Sequence, residues 1–236
     1  MSDRFYTPQP LALGDVTLDG PEAHHLSTVR RYEPGDAVTL FNGDGREYAA
    51  SVVAVDRKRA TLHVTAALDV SRESPIRITV ASALPKGDRA DYLVEKLTEV
   101  GVTHFIPLVT VRSVVVPKAT TVEKLARVVV EASKQCGRNR LMSVGPPTTW
   151  RDFLARRDGV QLVLHTADGA SRRGDFADGV TLAVGPEGGF APEEIAAALE
   201  AGRTVLSLGP RVLRVETAAV VAATWVNCHT SSRQVI

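Results

Sequence analysis

Between Thr181 and Gly202 the chain reads TLAVGPEGGFAPEEIAAALEAG. Gly185, Gly188 and Gly189 stand between an apolar run and a run with helical spacing, which Gly202 closes. A glycine-rich loop after a strand and before a helix is where α/β proteins bind ligands. Such loops usually cradle phosphate with backbone N–H groups and a helix N-terminus. This one carries Glu187 at its centre and no Lys, and Glu193 and Glu194 follow in the first helical turn. A phosphate would be repelled, so neither the P-loop nor the dinucleotide fingerprint fits. Two more loops follow late apolar runs: HTADGA from His165 and LGPRVLRVETA from Leu208. Loops at the carboxyl ends of neighbouring strands converge on one crevice. These three offer many backbone N–H and C=O groups and few cations, which suits an adenine or a zwitterion. Glu187 favours a nearby positive charge such as a sulfonium. From the residues alone, the ligand is a neutral or cationic small molecule in an α/β crevice.

The elements that must position these loops are legible in the pattern. Residues 1–72 read as β. DAVTLFNGDGREYAASVVAV alternates apolar and polar residues on both sides of Asn42-Gly43-Asp44-Gly45, a hairpin signal, and ATLHVTAAL is a third strand. SRESP, Ser71 to Pro75, is a polar break, and the domain boundary is placed there, giving domains 1–72 and 73–236. From Ile76 strands and helices alternate. IRITVASAL, THFIPLVT, VQLVLHTA, VTLAVG and TVLSLG read as strands. DRADYLVEKLTEVG has helical spacing and ends at Gly101, and TVEKLARVVVEASKQCG is a long helix ending at Gly137. Pro192, with Glu193 and Glu194 beside the N-terminal dipole, starts another helix, and ETAAVVAATWVNCH closes the chain. This alternation predicts an α/β domain with a mostly parallel sheet.

Composition narrows the function. The chain has 236 residues, 44% of them apolar, enough for one large domain or two small ones. No apolar run approaches the roughly 20 residues that span a bilayer, and the start, MSDRFYTPQP, has no apolar signal core, so the expected location is cytoplasmic with no membrane partner. Cys136 and Cys228 form no CxxC pair, and the six His show no metal-ligand spacing beyond the adjacent His24–His25, so no metal is expected. The net charge of +1 is uneven: −2 over residues 1–72, +4 over 73–150 and −1 over 151–236. Lys134, Arg138 and Arg140 cluster with no acid between them. A local basic cluster on a neutral chain points to one anionic contact site rather than a non-specific nucleic-acid coat.

VGPEGGF followed by EEI, then SLGPRVLRVETAA, closely resembles the SPOUT-class RNA methyltransferases, and most closely the RsmE family. Arg4-Phe5-Tyr6 is similar to that family's start, HHLSTVRRYEPGDAVTLFNGDG to its PUA-like β-barrel, and EKLTEVGVTHFIPL and EASKQCGRNR to its middle motifs. The resemblance covers nearly the whole chain. It implies a C-terminal SPOUT-type trefoil-knotted α/β domain, a small N-terminal PUA-like β-barrel and a homodimer whose subunits jointly build the site. It also implies S-adenosylmethionine as donor and methylation of N3 of a uridine in 16S ribosomal RNA (position 1498), on the assembled small ribosomal subunit. Two residues depart from the family pattern: Val215 stands where Thr is usual, and Ala191 where a capping Ser or Thr is usual. Losing that cap should cost about 1 kcal/mol.

By the resemblance, the donor is lined by Leu164 and His165, by Gly185, Glu187, Gly188 and Gly189, and by Leu208, Gly209, Leu213, Thr217 and Ala218. N3 of uridine carries a proton and is a poor nucleophile until that proton leaves, so the site must hold a base or a stabilising cation. Arg138, Arg140 and Arg214 are the candidate cations. Glu216 is either the base or the residue that orients an arginine. The target base must leave its stack. Arg4, Arg30, Arg31 and Lys134 would hold RNA phosphates, which positions RNA without reading sequence. Two rival readings share these residues: a SPOUT 2′-O-ribose methyltransferase, and a non-catalytic RNA-binding or ribosome assembly module.

Overall fold

A computed structural model describes residues 3–166, 176 and 179–231. The chain divides into two compact units: Met1–Glu73 with Ser133–Leu141, and Ser74–Ala132 with Met142–Ile236.

The first unit is built on β1 (Arg4–Tyr6), β2 (Gly14–Asp19), α1 (Gly20–His24), a π-helical turn (His25–Val29), β3 (Ala37–Phe41), β4 (Glu47–Val55) and β5 (Arg59–Leu68). The five strands form one sheet in the order β1-β3-β4-β5-β2. Irregularities in the β4–β5 register, between Ala49 and Ala50 and between Val52 and Ala54, bend the sheet. Alternating apolar residues turn inward, so Phe5, Leu18, Leu26, Leu40 and Leu62 share one core. The Asn42–Gly45 stretch does join β3 to β4. The Asp44 amide donates to the Asn42 side chain (3.1 Å), the Arg46 amide to Asp44 (2.8 Å).

Residues 133–141 are bound into this unit by charge. The Lys134 ammonium meets Glu22 at 2.7 Å with both side chains largely buried. Arg138, 3% exposed, makes a two-pronged pair with Glu73 at 2.6 and 3.1 Å. Arg4 donates to Glu47 (2.7 Å), to the Asn139 side chain (2.5 Å) and to the Arg138 carbonyl (3.1 Å), and lies over the Phe41 ring. Arg72 also pairs with Glu47 and donates to the Gly137 carbonyl at 2.9 Å.

The second unit contains β6 (Ile78–Ser82), α2 (Arg89–Glu99), β7 (His104–Val109), most of α3 (Ala119–Cys136), β8 (Ser143–Val144), β9 (Thr148–Thr149), α4 (Trp150–Leu154), β10 (Val160–Leu164), β11 (Val180–Val184), α5 (Pro192–Glu200), β12 (Thr204–Leu206) and α6 (Val215–Ser231). Its strands run β12-β10-β11-β6-β7-β8, with β9 also on β7, and every pairing among the described residues is parallel. β6 and β11 are buried along their whole lengths, as central strands of a parallel sheet should be, and even Thr79, Ser82 and Thr181 lie inside. Phe153, Trp150, Phe190 and Ala198 pack with Ile106, Val163 and Ala183 on one face of the sheet. Among the described residues no helix is long and apolar enough to cross a membrane.

Candidate active site

The strand order explains where the site lies. β11 and β12 flank β10 on its two sides, so three carboxyl ends stand side by side. The loops that leave them at His165, Gly185 and Ser207 enclose a cavity of about 380 Å³ within the second unit. That falls in the range of small-molecule sites, roughly 300–1,000 Å³. Apolar side chains form much of the wall, including Leu164, Leu206, Leu208, Leu213, Val215 and Ala218.

The glycines have distinct geometric reasons. A Cβ on Gly185 would sit 3.1 Å from both the ring and the backbone nitrogen of Phe190, a contact so tight that Phe190 would have to shift to admit a side chain. Gly189 has φ +67°, which L side chains rarely adopt, and its amide donates to the Pro186 carbonyl at 2.8 Å. The start of α5 differs from the sequence expectation. Ala191 has no side-chain acceptor, yet the end is not left open. The buried Glu194 carboxylate reaches back to the Ala191 amide at 2.8 Å, while its other oxygen accepts from the Val111 amide at 2.9 Å. Half of a capping box thus survives, and it ties the loop after β7 to the loop after β11.

Ten of the eleven residues expected around the donor line this cavity: Leu164, His165, Gly185, Glu187, Gly188, Gly189, Leu208, Gly209, Leu213 and Ala218. Thr217 does not; it is exposed in the first turn of α6. The HTADGA stretch beyond Thr166 lies outside the described residues. The charge balance is also different from that read in the three loops. Glu187 is answered by Arg89, 3.3 Å away at the start of α2. Two arginines border the cavity, Arg112 from the loop after β7 and Arg211 from the loop after β12. Arg112 donates to the Gly188 carbonyl at 2.8 Å, and neither arginine has a carboxylate partner among the described residues. The β7 loop lies outside the three late glycine-bearing loops, and its signal in the sequence is Arg112, two residues after the THFIPLVT strand.

The candidate catalytic residues separate. Arg214 is exposed, next to the lining residues Leu213 and Val215, and no side-chain partner is found for it among the described residues. Glu216 is buried at 6% exposure, with Oε2 unpartnered. Arg138 and Arg140 belong to the first unit: Arg138 is held by Glu73, and Arg140 is exposed, its guanidinium against Gly45. Of the cations expected to meet RNA, Arg4 and Lys134 are buried in ion pairs. Arg30 is half exposed beside Asp3, and exposed Arg31 has φ 57°. No group of three or more His, Cys, Asp and Glu able to hold a metal occurs among the described residues.

A parallel α/β sheet with a glycine-lined cavity over three adjacent carboxyl ends, joined to a small β unit, defines the class, and comparison with known proteins agrees. An RNA methyltransferase domain matches residues 72–227, and an RNA methyltransferase PUA domain matches residues 18–65. The ribosomal RNA small subunit methyltransferase E of Mycobacterium bovis is 36% identical over 232 residues, 92% of this chain and 87% of that protein. The same-named enzyme of Neisseria gonorrhoeae, solved bound to S-adenosyl methionine, has a TM-score of 0.90 at 30% identity, with 97% of this chain and 98% of that one covered. A methyltransferase of Legionella pneumophila in complex with the bound cofactor SAM has a TM-score of 0.91 at 34% identity, covering 97% and 98%. The chain belongs to the ribosomal RNA small subunit methyltransferase E family.

Proposed function

We propose that this protein methylates N3 of a uridine in 16S ribosomal RNA, position 1498, with S-adenosylmethionine as donor. The observation that carries this reading is the glycine-lined cavity over β10, β11 and β12, in a chain whose structural relatives from Neisseria and Legionella hold that donor. The residues fit the group. The leucines and Ala218 offer an adenine ring an apolar slot. A Cβ on Gly189 or Gly209 would meet no atom within 4 Å, so both loops leave open space. Bound there, S-adenosylmethionine would supply a methyl group on a positively charged sulfur.

The chain's own work is to position the base and manage its proton. N3 must lose its proton as it gains the methyl group, and holding both reactants in line supplies much of the rate. Arg214 is assigned to stabilise the negative charge on the uracil, since Arg138 already has Glu73. Glu216 takes the proton or orients Arg214. Residues 1–72 are assigned to RNA binding, with Arg30 and Arg31 on phosphates, and residues 73–236 to transfer. The knotted path, the homodimer, the small subunit as substrate and a cytoplasmic setting complete this reading.

Small subunits from cells lacking the protein, incubated with purified protein and methyl-labelled donor, should yield labelled N3-methyluridine on digestion. A ribose-methylated product would move the chemistry to the sugar. Bound RNA without label would replace the enzyme with a binding module.

A further inference from the structure

We propose that the mouth of the cavity is a docking rim for the RNA strand flanking the target nucleotide, built from two pairs, Val111–Arg112 and Arg211–Val212. This inference rests on the RNA-methylating reading above.

The first pair sits at the tip of a tight turn. The Ser113 amide donates to the Thr110 carbonyl at 3.1 Å, and the Thr110 amide to the Ser113 hydroxyl at 2.9 Å. Both tip residues are anchored from outside the turn. The Val111 amide is held by the buried Glu194, and the Arg112 guanidinium by the Gly188 carbonyl. The arginine is thereby tethered at one nitrogen, which reduces the freedom it would lose on binding. The second pair lies on the loop between β12 and α6, where Arg211 lines the same cavity.

Two features mark the rim. Its two guanidiniums have no carboxylate partner among the described residues. Beside them stand the two most exposed large apolar side chains described, Val212 at 84% and Val111 at 78%. A free anion would explain the arginines but not the valines. A strand of RNA explains both: guanidinium forks match phosphate oxygens, and an unstacked base presents an apolar face. Arg112, Arg211 and Val212 all line the cavity, so the rim borders the seat assigned to the donor.

The test measures binding of unmethylated small subunits as a function of salt, alongside donor affinity and steady-state kinetics. Arg112→Gln and Arg211→Gln should each weaken binding about tenfold and lower the salt slope by about one. KM for subunits should rise more than kcat falls, and donor affinity should hold. Val111→Ser and Val212→Ser should weaken binding with the salt slope unchanged. Unchanged subunit binding in all four variants overturns the proposal. So does a loss confined to donor affinity, which would give the arginines to the methionine carboxylate, or one confined to kcat, which would give them to the reacting base. A change of oligomeric state in the valine variants would assign the rim to a second copy of this chain. If wild-type protein itself transfers no methyl group to subunits, the functional reading fails instead, independently of these variants.

Discussion

The two units use their positive charges in opposite ways. In the first, Arg4, Arg72, Lys134 and Arg138 converge on Glu22, Glu47 and Glu73; Arg138 is buried, Arg72 is exposed and the others are half-buried. In the second, Arg112, Arg211 and Arg214 stand at or beside a cavity and are exposed. No carboxylate answers any of the three among the described residues. Removing a charge from water costs several kcal/mol, which an opposite charge offsets. An exposed, unpaired guanidinium carries no such debt and keeps its field for a ligand. The pairing state thus distinguishes the arginines that tie the first unit together from the three beside the cavity.

The largest effect should come from breaking the buried set. Arg138→Ala leaves a space in the core and the half-buried Glu73 without this partner, and should lower stability by about 2–3 kcal/mol. Urea unfolding measures it, and a near-neutral result would erase the distinction between the two regions. Next is Arg214→Ala, expected to lower kcat by about 10²–10³-fold with the unfolding midpoint unchanged. Wild-type turnover in that variant would remove Arg214 from the catalytic set.

A third effect depends on pH. Burial pushes the Glu47 carboxyl up, but hydrogen bonds from Arg72 and Arg4 outweigh it and hold its pKa below the ordinary value. A depressed carboxyl contributes stability above its unfolded pKa, about 4.3, and loses it as pH falls toward the folded value. Wild-type stability should therefore drop on acidification below about pH 4. Glu47→Gln should be less stable at neutral pH by about 1.5–3 kcal/mol, with a flatter acid limb. Equal acid slopes in the two proteins would remove Glu47 from the account. The smallest effect sharpens the cavity side: Ala191→Ser adds the missing acceptor at the start of α5 and should raise stability by about 0.5–1 kcal/mol, read as a shift in Tm.

Much of the scaffold was legible because its signals are local. The alternation around Asn42–Gly45, the largely apolar strands and the Gly-Pro-Glu-Gly-Gly loop each declare themselves within ten or so residues. Thr217 illustrates the limit. It sits one helical step from Ala218, which lines the cavity, and only the phase of α6 turns it to solvent. The cluster of Lys134, Arg138 and Arg140 misleads for a related reason. Its lack of neighbouring acids reads as an open anion site, yet Lys134 finds Glu22 112 residues away and Arg138 finds Glu73 65 residues away. Nor does any break in composition announce that residues 133–141 return to the first unit.

By itself the sequence determined the parallel α/β class, the small β unit before it and the glycine loop that lines the cavity. Hydrophobic period and glycine placement act over one element and do not need the rest of the chain. The tertiary structure decided which charges are spent and which are kept, and that the loop after β7 joins the cavity through Glu194 and Arg112. Electrostatic pairing depends on distance in space, and only the folded chain sets that distance.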